Sequence, residues 1–472
     1  MTYKYDILLQ NGMLVDPINR FEGVRDIGIR DGRIVAVEEH LSASGAEQVF
    51  DIRGQHVMPG IVDMHCHVSE WLGGACGHKM LALAGVTTAL DMSGPVEGLL
   101  KLAGDCGTGL TLATINRLTP GYNIKSADPD RKELQGALDH ALRSGCIGLK
   151  LMGGNYPLTP EATAEAIRLA NEHRAYVAFH AATTQTGSHL TGFLEALSLT
   201  GDHCLHIAHV NSYCRGMIEP YMTETQKVID ALRANPHIRC EAYLSPYNGN
   251  NGKCIDGVPE ASVIRNCLRM GGYEPTEAGY EKAILDGWAN INVESGGEVT
   301  LQAGSDAVKY WKEKKTDTAV SFVVNPPQPR YWLTTAKRAD GRFVVDAIST
   351  DGGGIPRNVI LDHGLSFVRL KAMTLPEFVL KASVNPGRIL GMNNKGMLSE
   401  GADADITVFN LESQKPYMSI GSGRVIMYRG YVCGKGCNIL TTEQGAENVR
   451  AHGLNPVLTN IADSAFYNAY GY

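Results

Sequence analysis

The chain has no apolar run approaching the roughly 20 residues that a membrane-spanning helix needs. It has no basic tract either. Its formal charge is −7, with acidic and basic residues mixed throughout. A nucleic-acid face and a polybasic membrane patch are therefore both excluded, and a small-molecule substrate is expected. Three signatures are missing as well: there is no GxSxG elbow, no GxxxxGK[ST] loop and no HExxH helix. Those absences set aside serine hydrolases, nucleotide-binding P-loops and the commonest zinc-protease helix. The opening MTYKYDILLQNG lacks a signal-peptide core and a small-residue cleavage site. The 11 cysteines are an odd number scattered along the chain, and Cys433 and Cys437 have no second Cys/His pair nearby. Reduced thiols in a cytoplasmic protein are expected, rather than disulfides or a structural zinc.

What the chain does have is length and periodicity. At 472 residues, 44% of them hydrophobic, it exceeds the size at which single cores stop growing, so one large domain and a smaller one are expected. The first 55 residues alternate as short strands, with Asp31-Gly32 as a hairpin turn. From Gln55 onward, apolar runs of strand length alternate with amphipathic stretches, as βα units around a parallel sheet require. Eight strands follow: HVMPGIVDMHCH, GVTTALDMS, GLTLATIN, CIGLKLMG, AYVAFHAA, CLHIAHVNS, IRCEAYLSP and FVVDAISTDG. Helices are expected from Asp130, from Thr159 with Pro160 just inside, and from the capping-box pair Thr374 and Glu377 to about Leu390. These elements predict an α/β fold with a (β/α)8 barrel over residues 56–392. Residues 393–440 return to β character and are assigned with 1–55 to one β domain, leaving 441–472 as a tail. Residues 248–342 separate the seventh and eighth strands by far more than an ordinary loop, and are expected as an insertion shaping the substrate pocket.

His65 and His67 end the first strand, two residues apart and so on one face, where both rings can reach one ion. Alone, that pair means little. Lys150, His180, His209 and Asp351, however, end the fourth, fifth, sixth and eighth strands, each interrupting an apolar run. In a (β/α)8 barrel those ends converge on the face that carries catalysis. Imidazoles and a carboxylate suit divalent zinc, manganese, cobalt or nickel, and the set has no cysteine. Lys150 has two readings: a lysine paired with a carboxylate, or an amine that has taken up carbon dioxide as a carbamate bridging two ions.

These residues, with PGIVDMHCH, GLKLMGG and STDGGG, resemble the amidohydrolase superfamily of the binuclear, carboxylated-lysine type, which includes dihydroorotases, hydantoinases and isoaspartyl dipeptidases. The resemblance covers nearly the whole chain, from ILLQNG to GADADITVF. It implies a β-sandwich built from both chain ends and a homo-oligomeric assembly. It implies two divalent ions, zinc before manganese, cobalt or nickel, with carbon dioxide held as a carbamate on Lys150. By that resemblance His65 and His67 hold the buried ion, His180 and His209 the outer one, and Lys150 both. Asp351 touches the buried ion and acts as base and then acid toward a metal-bridging hydroxide. The implied reaction is cleavage of a non-peptide C–N bond in an N-acyl-amino acid, isopeptide or cyclic amide. N-acyl-D-amino-acid deacylases bridge their site with a cysteine from the second strand, and LDMSGPVEG has none.

Tyr156, in a Gly-rich loop, is a candidate oxyanion donor by likeness to the hydantoinase loop tyrosine, against a packing role. Asn211 and Arg215 are candidates for binding a substrate carboxylate. His206 faces away from His209 on a regular strand and is left out of the site. The rival readings are a hydrolytic deaminase of a heterocycle and a catalytically inactive barrel scaffold.

Overall fold

The computed structural model of the protein describes residues 3–70 and 74–470. Eight parallel strands lie where the apolar runs placed them: β1 (Ile61–His67), β2 (Val86–Asp91), β3 (Thr108–Thr114), β4 (Gly148–Met152), β5 (Tyr176–His180), β6 (Leu205–Ile207), β7 (Ile238–Tyr243) and β8 (Ala347–Ser349). They form two parallel arrays. One runs β1–β2–β3 and the other β4–β5–β6–β7–β8. Strands of this kind are covered on both faces and therefore read as unbroken apolar runs. Val62, Leu90, Leu112, Leu149, Val177 and Ile207 are all at most 1% exposed and belong to one core.

The arrays meet on both sides. At one, Gly352–Gly353 pairs in parallel with the end of β1, and the Asp351 N–H donates to the His65 carbonyl (2.8 Å). At the other, the Ile147 N–H donates to the Thr114 carbonyl (3.0 Å). That second side departs from expectation. Gly436–Thr441 runs parallel along the free edge of β3 and pairs in turn with Asn455–Leu458. Residues 436–440 thus leave the β domain in which the sequence placed them, and the 441–472 segment supplies a strand rather than a plain tail. Ile439 and Leu440 explain why, because adjacent residues buried on opposite faces fit a sheet covered on both sides.

A separate nine-stranded sheet combines both ends of the chain. Tyr5–Asp16 is its spine, and His56–Pro59 pairs antiparallel with Ile406–Asn410 to join the N-terminal and C-terminal halves. His56–Pro59 therefore belongs to this sheet and not to the α/β unit. The sheet encloses its own core, including Ile7, Leu9, Ile27, Val57, Ile406 and Ile420.

Local signals behave as their chemistry dictates. Asp130 and Thr159 cap their helices by accepting from the Glu133 and Ala162 N–H groups. Thr374 and Glu377 form a capping box. The helix they open is interrupted: Leu380–Val384 is a π turn before Asn385–Ile389, with Pro386 just past it. A proline cannot donate to the carbonyl one turn back, and widening the turn accommodates it.

The insertion between β7 and β8 folds around a core of its own. Tyr247–Asn251, Ala319–Val323, Ala289–Ser295 and Glu298–Gln302 make a four-stranded antiparallel sheet. Tyr280, Trp311 and Phe322 are buried beneath it with Leu268 and Ile284. Its helix Ser262–Met270 turns Val263, Asn266, Cys267 and Met270 toward the mouth of the parallel strands, where they line the same cavity as His65 and Asp351.

Candidate metal centre and substrate cavity

The six strand-end residues converge. His65, His67, Lys150, His180, His209 and Asp351 all line one cavity of about 50 Å³. Ligand atoms of His65, His67 and Asp351 lie within 4.8 Å of one another. The Asp351 Oδ1 is 3.2 Å from the His65 Nε2 and 2.9 Å from the His67 Nε2. The His180 Nδ1 is 3.1 Å from the His209 Nε2. Two ligands each about 2.0–2.1 Å from one zinc-like ion at the tetrahedral angle stand roughly 3.3 Å apart. The donor set and its spacing fit divalent ions.

Backbone geometry brings two of these residues into place. His209 and Asp351 both sit at positive φ, +38° and +47°, a conformation that non-glycine residues adopt rarely and that concentrates at functional sites. Each is held there from outside. The His209 N–H donates to the Glu241 Oε1 (2.7 Å), and the Asp351 N–H is held by the His65 carbonyl.

Glu241, on β7, is a site residue that the strand-end pattern does not single out. Its Oε1 also takes the His65 Nδ1 (2.7 Å), and its second oxygen accepts the Ser349 hydroxyl. That bond fixes the proton of His65 on Nδ1 and leaves Nε2 as a lone-pair donor toward Asp351. Burial pushes the Glu241 carboxyl up, but His65 and His206 outweigh it and hold the group well below the usual range. The signal that marks the histidines is present here too, because Glu241 breaks the apolar run IRCEAYL. It breaks that run two residues before the strand's end at Tyr243, just as Lys150 stands two residues before the end of β4 at Met152.

Arg357 escapes sequence reasoning as well, since a loop gives no periodicity. It is 1% exposed, places its Nη2 2.7 Å from the Asp351 Oδ2, stacks over the Tyr243 ring, and donates from Nη1 to the Tyr247 carbonyl (3.1 Å). Burial alone would push Asp351 up; Arg357 first, then His65, hold it well below the ordinary carboxylate value.

The imidazoles are set up as neutral ligands. Burial, then the neighbouring Lys150, pushes His180 down to about 3, while burial and His180 hold His209 far down. Burial lowers His67. His65 is the exception: Asp351 and Glu241 outweigh burial and raise it, a proton that a metal would replace.

Lys150 is 1% exposed, and its Nζ donates to the sulfur of Met92 (3.3 Å). Among the described residues no carboxylate oxygen lies within 4.0 Å of it. Burial pushes its amine down to about 8, against the pull of Glu241, Asp351 and Asp91. A thioether is a weak acceptor for an ammonium, and a buried charge without a partner is costly.

Of the three candidates for substrate contact, one stands at the cavity. Arg215 lines it, with its Nε on Asn325 (2.9 Å) and its Nη2 on the Tyr243 hydroxyl (2.8 Å). Asn211 does not. It is buried with its Oδ1 accepting from the Tyr243 N–H (3.1 Å), so it braces β7 instead of meeting a ligand. Tyr156 stands outside the lining residues, and its neighbour Asn155 faces the cavity in its place, because the turn after β4 bonds the Tyr156 N–H back to Met152 (2.7 Å). His206 is absent from the cavity lining, but contrary to expectation it is not turned from the site: its Nδ1 meets the Tyr176 hydroxyl and its Nε2 lies 3.7 Å from the Glu241 Oε1.

The chain is similar to known proteins. Residues 335–435 match the amidohydrolase family. The chain is 41% identical over 441 residues to a dihydroorotase of Elusimicrobium minutum, covering 87% of this chain and 89% of that one. It is 30% identical over 437 residues to an allantoinase of Deinococcus radiodurans, covering 86% and 87%. Its fold matches an N-acyl-D-glutamate deacylase of Bordetella bronchiseptica, solved with zinc and a phosphonate inhibitor, with a TM-score of 0.65 at 16% identity over 92% of this chain and 99% of that one. The chain belongs to the amidohydrolase family. It is a hydrolase acting on carbon–nitrogen bonds other than peptide bonds.

Proposed function

We propose that the chain hydrolyses the amide bond of a small carboxylate-bearing substrate, an N-acyl-amino acid or a cyclic amide, at a binuclear centre built on Lys150. The observation that carries this is the convergence of six strand-end ligands on one cavity, three of them with donor atoms within 4.8 Å of one another. The two parallel arrays are read as a (β/α)8 barrel, supported by the hydrogen bonds that join β8 to β1 and β3 to β4. The nine-stranded sheet is read as the flanking sandwich.

His65, His67 and Asp351 would hold one ion, His180 and His209 a second, and Lys150 both. Two such ions would polarise the scissile carbonyl and make water a nucleophile near neutral pH. Lys150 would supply its ligand oxygens after reaction with carbon dioxide, in which the neutral amine nitrogen bonds to carbon, one proton leaves, and a carbamate with two oxygens results. A lysine held near 8 by burial supplies the neutral amine that this step needs. Asp351 takes the proton of the attacking water and returns it to the leaving nitrogen, with Arg357 keeping its carboxylate oriented. Arg215, the cationic side chain on the cavity wall away from the ligand set, takes the substrate carboxylate.

The test is elemental analysis of protein grown with added divalent ions and bicarbonate, wild type beside Lys150→Ala. About two ions per wild-type chain, falling in the variant and partly restored by short carboxylic acids, is the expected result. One ion in both proteins would discard the bridged centre and leave Lys150 a structural lysine.

A further inference from the structure

Four asparagines line the cavity together with Val263, Cys267 and Met270 of the insertion helix. Asn248 and Asn250 come from the first strand of the insertion, Asn266 from its helix, and Asn155 from the turn after β4. Asparagine carries no charge, and each side chain offers a donor and an acceptor that can exchange places by a flip of the amide. Such amides complement a group that itself offers both, such as a carboxamide or a ureide.

Their bonds to the protein are incomplete. Asn155 and Asn250 face each other as a reciprocal pair, Nδ2 to Oδ1 at 3.3 Å in both directions, beyond the 2.7–3.2 Å of a well-made N–H···O bond. The Asn250 Oδ1 is further held by the Asn251 N–H (2.7 Å), which fixes the side chain in place. Asn248 is buried, and its amide nitrogen donates to the Cys267 sulfur (3.5 Å), a weak acceptor. Asn266 accepts from Arg269 (3.2 Å) through its oxygen, leaving its two N–H groups without a partner among the described residues. The cavity, about 50 Å³, has room for a few waters against these side chains.

We propose that this asparagine wall binds an amide-type group on the substrate in addition to the scissile bond, the ligand's amide replacing the Asn155–Asn250 contact. With Arg215 taking a carboxylate, the substrate class narrows to acyl derivatives of amino acids with a carboxamide or ureido side chain. This narrowing rests on the hydrolase reading above. It places specificity on the insertion and chemistry on the strand ends. A site built to hydrogen-bond a polar group rejects an analogue that lacks it, because its own polar groups are then left unpaired.

The experiment has two readouts on the metal-loaded enzyme. Calorimetry compares the binding of free glutamine with that of free norleucine, and turnover compares N-acetylglutamine with N-acetylnorleucine, each in both enantiomers. In wild type the amide ligand is expected to bind, and its acetyl derivative to turn over, at least about tenfold better, the worth of one well-made hydrogen bond. In Asn250→Leu the glutamine-to-norleucine ratio falls toward one, and Asn248→Leu gives the same direction should the first variant fold poorly. Equal binding of the two amino acids to wild type, or a preference that survives in both variants, overturns the proposal. Turnover of both acetyl compounds without preference also removes the wall and keeps the hydrolase reading. An amide preference in binding with no turnover of either compound keeps the wall and removes the assignment to acyl-amino acids.

Discussion

Among the described residues, Lys150 and Lys381 are both at most 1% exposed and lie toward opposite ends of the parallel strands. Lys150 stands in the middle of β4 and faces the cavity of the candidate ligands, and Lys381 sits in the π turn, next to the start of β1, where the neighbouring Ser383 hydroxyl donates to the Gly60 carbonyl. Burial lowers both amines, to about 8 and about 7. Their surroundings differ. The Lys381 Nζ donates to the Val345 carbonyl (2.6 Å) over the Phe343 ring at 4.2 Å, whereas Lys150 has a thioether and an open cavity. A lowered amine is therefore not a functional mark by itself. What separates the two is access to a cavity lined with ligands, against a sealed niche with a backbone acceptor.

Several measurements would break or sharpen that contrast. The largest effect belongs to the cavity end: Asp351→Asn should lower kcat, measured on protein loaded with metal, by about 10²–10⁴-fold. Steady-state rates beside elemental analysis decide it, and near-full activity with metal bound would refute the acid–base role. Glu241→Gln removes the acceptor that orients His65 and holds the His209 backbone, so metal affinity should fall about 10–100-fold in a competition titration with a chelator. Arg215→Ala should raise KM for carboxylate-bearing substrates about tenfold or more and leave kcat less affected, as expected of a group that binds ground state and transition state alike. An unchanged KM would take Arg215 out of the substrate site.

The smallest effect belongs to the sealed end and concerns stability. Lys381 titrates near 7 in the folded chain against an ordinary value of 10.5. The unfolded chain therefore binds more protons between those values. The contribution of Lys381 is least favourable below pH 7 and improves as pH rises toward about 10. Lys381→Met should lack this dependence, so denaturant melts between pH 6 and 10 should show its stability relative to wild type declining as pH rises. Its metal content and turnover should match wild type. If Lys381→Met lost metal as Lys150→Ala is expected to, the contrast between the two ends would collapse.

How far the sequence can be read follows from the same physics. The eight parallel strands are legible because a strand covered on both faces must be apolar along its length, and each polar residue at a strand end then stands out. His65, His67, Lys150, His180, His209 and Asp351 are found that way, and they share one cavity. Asn211 and Tyr156 stand close in sequence to ligand residues. Proximity does not fix direction: a 3₁₀ turn carries Asn211 toward β7, and a turn carries Tyr156 past the cavity. The path of 436–441 is not legible, because pairing with β3 joins residues more than 300 positions apart and a short apolar run does not name its neighbour.

The sequence by itself determined the family, the parallel strands and the candidate ligands, since each rests on a local pattern of polarity with period two or 3.6. Tertiary structure alone decided which groups orient those ligands and which wall faces them. Glu241 meets His65 across 176 positions, Arg357 returns from a loop to clamp Asp351, and the insertion folds on its own core to set its asparagines opposite the histidines. Such contacts depend on how separate elements pack, and no spacing along the chain encodes them.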